Sequence, residues 1–172
     1  MNKEYIVIAF TENQIGVLNR ITACYLRRKI NIESLKVNES SIKGISMFVI
    51  SAITTEELII KTVSQIRNII DVIEVNWHDA AELVTQEIAL FKIPTRHLGQ
   101  SGRVDAISRQ WNMRIIEFAA KYVVLEKTGL PEEIDALRAE LEADGLLETF
   151  TRSGSVVMLP DTPSTLGRAD AQ

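Results

Sequence analysis

One cysteine in 172 residues, Cys24, leaves no internal disulfide to be made, which excludes a disulfide-stapled scaffold. No apolar run approaches the ~18 residues that a membrane helix needs. Nor is there a leader pattern, since Lys3 and Glu4 precede only a short apolar run and then acidic residues. The chain therefore reads as cytoplasmic, with no membrane partner. Aromatic residues are scarce at 6%, and their scatter offers no stacking platform for single-stranded nucleic acid. Positive charge is not in excess: the formal net charge of −4 argues against reliance on attraction to phosphate backbones. No nucleic-acid partner is expected.

Chemistry-bearing groups are equally thin. There is no phosphate-binding loop, no GxGxxG after a strand and no GxSxG elbow. His78 and His97 sit in connectors without cysteines or carboxylates at metal-ligand spacing, and both read as surface residues. Cys24 has apolar neighbours and reads as a small buried hydrophobe rather than a nucleophile. The basic cluster Arg27-Arg28-Lys29 reads as the solvated end of a helix, where cations suit the negative end of the dipole. No catalytic residue and no metal ligand is assigned, and the chain is not expected to be an enzyme by itself.

What is present is a repeated order of short elements. Residues 4–10 form a β-branched, aromatic strand, and from Gly16 the period becomes helical, with Val17, Leu18, Ile21, Cys24, Tyr25 and Leu26 as the apolar face. Residues 31–39 and 44–53 alternate as strands; Leu35 and Val37 share one face, as do Ile45, Met47 and Val49. Gly44 is free to take the positive φ of the turn between them. Thr54 and Glu57 form a capping box before a helix striped by Leu58, Ile59, Val63, Ile66 and Ile70, and a strand at 72–77 closes the unit. The order strand, helix, strand, strand, helix, strand predicts an α+β sandwich of ferredoxin-like βαββαβ topology.

The order recurs after a polar connector at 78–86. A strand at 87–93 is stopped by Pro94, and a helix at 101–111 has Ser101 as its candidate cap. Strands follow at 113–118 and 122–126. A helix then opens at Pro131 with Glu132 and Glu133 in its first turn, and Gly145 is placed to end it. Residues 146–159 supply a last strand or hairpin broken at Ser153-Gly154. Two domains are predicted, 1–77 and 78–159, with a tail at 160–172 expected to be disordered.

The stretch from Ile8 to Val37 holds the best candidate for a site. A strand feeds a helix through Thr11-Glu12-Asn13-Gln14, and such a junction leaves backbone N–H groups and a positive dipole end facing outward. Two readings stay open. In one, the junction is a connection capped by Asn13 with Gly16 easing a tight turn. In the other, the N–H groups near Gly16 and Val17 seat a small carboxylate, with Asn13 adding a polar contact and apolar side chains holding a short aliphatic group.

Glu12-Asn13-x-x-Gly16-Val17-Leu18-x-Arg20 followed by Asn31-Ile32-Glu33-Ser34-Leu35 closely resembles the N-terminal signature of the regulatory small subunits of acetolactate synthase. The resemblance continues in Asp71-Val72-Ile73-Glu74-Val75 and in residues 86–93, QEIALFKI, then more loosely in Ile134-Asp135-Ala136-Leu137 and Arg152-Ser153-Gly154. It implies that the first domain is an ACT domain, a widespread amino-acid-sensing module. It also implies a homodimer through that domain, which binds the large catalytic subunit, activates it and confers feedback inhibition by a branched-chain amino acid, typically valine. Thiamine diphosphate, Mg2+ and FAD would belong to the large subunit and not to this chain. The effector-binding residues so implied are Asn13, Gly16, Val17 and Leu18 of one copy, with Asn31 and Ile32 of the other. The alternative is a free-standing ACT-type sensor that controls transcription or another enzyme. The chain departs from the family at Lys29, where glycine is common, at Ile15, which is bulkier, and in a shorter hairpin at Ile45-Ser46-Met47.

Overall fold

The apolar run that starts the chain is longer than its hydrophobic pattern indicates. In the computed structural model, which describes residues 1–99 and 102–158, strand β1 covers Lys3–Glu12 and so takes in Thr11, a fully buried residue. Helix α1 follows at Val17–Leu26, then β2 (Ser34–Glu39), β3 (Ile45–Thr54), helix α2 (Glu56–Arg67) and β4 (Val72–Asp79). The strands form one antiparallel sheet in the order β2-β3-β1-β4. The chain divides into two compact units, the first running past Trp77 to Val84 and the second starting at Thr85.

Alternation along the strands decides which side of the first sheet meets the helices. Tyr5, Val7 and Ala9 of β1, with Phe48, Ile50 and Ala52 of β3, pack against Val17, Ile21, Cys24 and Tyr25 of α1 and Ile59, Val63 and Ile66 of α2. Each such large side chain contributes roughly 1.5–3 kcal/mol by leaving water. Ile45, Met47 and Val49 do share a face, but it is the one turned away from this core. Burial pushes the Cys24 thiol and the Tyr25 hydroxyl above their usual ranges.

Several local expectations move. Leu18 and Leu26 are exposed, outside the buried stripe of α1. Helix α1 ends in a turn where Ile30 N–H donates to Tyr25 C=O at 3.1 Å and Lys29 N–H to Leu26 C=O at 3.0 Å, with Lys29 at φ 56. That is a Schellman ending, whose left-handed residue is usually glycine. Arg28 is not a solvated end: its guanidinium reaches the Gln65 side chain and, at 3.0 Å, Lys61 C=O, joining α1 to α2. The cap of α2 is Thr55, whose hydroxyl accepts from Leu58 N–H at 3.4 Å, because Thr54 is buried as the last residue of β3. Ile70 lies beyond the end of α2 and is 92% exposed, so it is no part of the core.

The second unit repeats the topology with β5 (Val84–Pro94), α3 (Arg103–Gln110), β6 (Arg114–Phe118), β7 (Tyr122–Gly129), α4 (Pro131–Ala143), β8 (Thr149–Arg152) and β9 (Val156–Met158). Its sheet runs β6-β7-β5-β8, and β9 also pairs with β5. Ala89, Phe91, Ile93, Val123 and Leu125 pack on Val104, Ile107, Ile134, Leu137 and Leu141. At the start of α4 the Glu133 carboxylate accepts from Leu130 N–H at 3.0 Å, half of a capping box. The predicted cap Ser101 and the tail from Leu159 onward lie outside the described residues. His78 and His97 are half-buried rather than on the surface, each with its Nε2 out of contact with water.

Candidate functional site

The junction between β1 and α1 is held from two sides by backbone bonds. Glu12 N–H donates to Asp71 C=O at 2.9 Å, and Asn13 N–H donates to Gly44 C=O at 2.9 Å. An ion pair between Arg20 and the Asp71 carboxylate ties the same turn to the first half of α1. Gly16 then sits at φ 89, ψ −7 as the residue before the helix. A side chain at that φ is strained, which explains glycine here on local grounds.

No side chain caps α1, so Asn13 is not the cap that one reading of the sequence made it. The first helical bond runs from Arg20 N–H to Gly16 C=O at 3.1 Å. Before it, Val17 N–H donates to Gln14 C=O at 3.5 Å. The next N–H groups of the first turn have no carbonyl partner within the helix, with the positive end of the helix dipole behind them. They border a cleft of about 190 Å3 lined by residues 11–14 and 16–18 and, across from them, by Val37, Ser46 and Phe48.

Four of the six residues implied as effector ligands meet at this cleft: Asn13, Gly16, Val17 and Leu18. Asn31 and Ile32, which the resemblance assigns to the site from the other copy, do not line the cleft of their own chain. They lie outside the strand in which they were expected, before β2, where Asn31 Nδ2 donates to Glu33 Oε1 at 3.0 Å and Ile32 packs against the core. Sequence reasoning missed the far wall. Val37 pairs with Phe48 across β2 and β3, and Thr11 pairs with Ser46 across β1 and β3, so register brings these residues to the junction. Nothing local to Val37, Ser46 or Phe48 signals that placement.

The arrangement suits binding rather than reaction. The cleft sets backbone N–H groups and the exposed Glu12 carboxylate beside the apolar side chains of Leu18 and Val37, with the buried Val17 and Phe48 at its base. Among the described residues no three of His, Cys, Asp and Glu cluster so as to hold a metal ion. Also among them, no helix is long and apolar enough to cross a membrane.

Comparison with known proteins covers both units. Residues 8–74 match the family described as AHAS small subunit-like ACT domain, and residues 86–159 match the family described as small subunit of acetolactate synthase. The acetolactate synthase small subunit of Mycobacterium leprae is 31% identical over 156 residues, covering 91% of this chain and 90% of that protein. That of Aquifex aeolicus is 30% identical over 156 residues, covering 91% of this chain and 81% of that protein. The crystal structure of the acetolactate synthase small subunit from Thermotoga maritima superposes with a TM-score of 0.81 at 24% identity, covering 94% of this chain and 99% of that one.

Proposed function

The chain belongs to the family of acetolactate synthase small subunits, and from that premise we propose that it is a non-catalytic regulator which activates the large catalytic subunit and makes it sensitive to a branched-chain amino acid, valine foremost. The observation that carries the effector half of this reading is the cleft at the uncapped start of α1. Its donors match a carboxylate, Glu12 matches an ammonium, and its apolar walls match a side chain of three or four carbons. Thiamine diphosphate, Mg2+ and FAD are held by the catalytic subunit, and the assembly works in the cytoplasm.

At about 190 Å3 the cleft is smaller than the ~300 Å3 at which ligand pockets usually begin. This supports a half-site completed by a second copy. Ile15 and Leu18 expose apolar surface beside the cleft, and β2 is an outer strand of the sheet. A homodimer formed along this side would cover both features and present Asn31 and Ile32 of the second copy to the effector. Effector binding would then favour one packing of the two copies over another, and through it one state of the catalytic subunit.

The test is reconstitution. Full-length protein is added to the co-encoded large subunit, and acetolactate formation is followed with and without valine, leucine and isoleucine. The expected result is a higher rate that valine lowers. No change under any of these conditions overturns the proposal.

A further inference from the structure

The second unit holds an open apolar groove beside two unpaired charges. The groove, of about 460 Å3, runs along α3 and is lined by Val104 and Met113, by Ile115 and Phe118 of β6, and by Val123 and Leu125 of β7. That volume falls within the ~300–1,000 Å3 of small-molecule sites and exceeds the cleft of about 190 Å3 in the first unit. The same run of elements flanks both: a strand-to-helix junction, the helix and the next two strands. Ile115 and Phe118 are 62% and 68% exposed, so this apolar wall faces water. Contiguous exposed apolar surface rimmed by polar groups marks a binding site.

Irregular pairing of β6 with β7 builds that wall. Arg114 lies opposite Glu126 and Ile115 opposite Leu125; the register then skips Ile116 and resumes with Glu117 opposite Val124 and Phe118 opposite Val123. The bulge turns Ile115 and Phe118 to the face of the core residues Leu125 and Val123, and Arg114 and Glu117 to the other. The polar rim comes from α3 and the residues after it. Val104, Asp105, Ser108, Arg109 and Asn112 recur at helical spacing and all line the groove, so a carboxylate and a guanidinium stand one turn apart along it. At that spacing Glu57 pairs with Lys61 on α2, and Arg138 with Glu142 on α4. Asp105 and Arg109, by contrast, have neither each other nor any other hydrogen-bond or ion-pair partner among the described residues.

We propose that this groove is a second small-molecule site, for an α-amino acid with a large apolar side chain, aromatic foremost. Charge complementarity selects the class. The Arg109 guanidinium receives the carboxylate and the Asp105 carboxylate receives the ammonium, whereas a simple carboxylic acid or a simple amine satisfies only one of the two. The Ser108 hydroxyl and the Asn112 amide add donors for the carboxylate. The ligand side chain lies along Ile115 and Phe118, where the Phe118 ring and the Met113 thioether both favour an aromatic partner. The inference stands on the second unit alone and depends neither on the regulatory role nor on the cleft of the first unit.

The test is calorimetric titration of the full-length chain with L-phenylalanine, with hydrocinnamate, which lacks the ammonium, and with phenethylamine, which lacks the carboxylate. L-Phenylalanine is expected to bind most tightly. Arg109→Gln and Asp105→Asn, both at exposed residues, should each lower its affinity roughly 10-fold or more, the loss of one charge-assisted hydrogen bond. The analogues separate the two contacts: Arg109→Gln weakens hydrocinnamate and not phenethylamine, and Asp105→Asn does the reverse. Gly16→Asp, in the first unit, leaves all three ligands unaffected. Hydrogen exchange over residues 104–118 should slow when L-phenylalanine is added. Absence of L-phenylalanine binding to the folded wild-type chain at millimolar concentration overturns the proposal. So does binding that Gly16→Asp removes and Arg109→Gln spares, since the ligand then sits in the first cleft. Protection of residues 104–118 that follows protein concentration or the large catalytic subunit, and not the amino acid, also overturns it, because the groove is then a protein interface.

Discussion

Replacement of Gly16 separates backbone strain from electrostatics at the candidate effector site. At φ 89 an ordinary L residue is strained by about 1–2 kcal/mol, and asparagine and aspartate by less. A Cβ added there meets nothing within 4 Å, so no steric clash is superimposed. Gly16→Asn and Gly16→Asp therefore share one conformational cost of roughly 1 kcal/mol and differ mainly in charge. A new carboxylate about 4 Å from the effector carboxylate is repelled by ~4 kcal/mol at an effective dielectric of 20. The junction is open to solvent, and screening reduces this to roughly 1–3 kcal/mol, or about 5- to 150-fold in affinity. Calorimetric titration of valine into each full-length variant should show weaker binding to the Asp variant than to the Asn variant by that factor. Valine inhibition of the reconstituted enzyme should follow the same order, with activation retained in both. Equal affinity of the two variants for valine would refute the placement of a carboxylate at the start of α1.

Other consequences concern stability. Lys29→Gly relieves a left-handed position at φ 56 and should raise stability by about 0.5–1 kcal/mol in urea unfolding, net of the added chain entropy. Thr55→Ala removes the cap of α2 and should cost ~1 kcal/mol; the effect of Glu57→Gln, in an exposed pair with Lys61, should be smaller. Cys24 and Tyr25 have ordinary values of 9.0 and 10.0, and burial raises both in the folded chain. Above pH 9 the unfolded state thus binds fewer protons than the native state, so stability should fall as pH rises. Tyr25→Phe should make that alkaline decline shallower. It should cost little at neutral pH, because the hydroxyl is buried without a hydrogen-bond partner. Thermal unfolding at pH 7 and pH 10 measures both effects.

Legibility followed the range of the forces involved. Gly16 and Gly44 at positive φ and the helix start at Pro131 rest on interactions within a few residues, and a local pattern sufficed to place them. Lys29 is a contrasting case, since it occupies the left-handed end of α1 with no glycine to mark it. The cap of α2 missed by one residue because Thr54 and Thr55 are equivalent locally, and only pairing of Thr54 with Lys3 across the sheet draws it into β3. The role of Arg28 is not legible locally, because charge adjacency in sequence carries no information about Gln65 on another helix.

By itself the sequence determined the element order and the βαββαβ repeat, since periodicity and turn chemistry are short-range. It also determined the glycine that lets α1 begin without a side-chain cap. Tertiary structure alone decided what faces that helix start. Strand register brings Val37, Ser46 and Phe48 to the cleft and leaves Asn31 and Ile32 away from its lining. In the second unit a single skipped residue in the pairing of β6 sorts its charges onto one face and its hydrophobes onto the other. Both outcomes depend on pairing between strands distant in the chain, where a shift of one residue exchanges the faces.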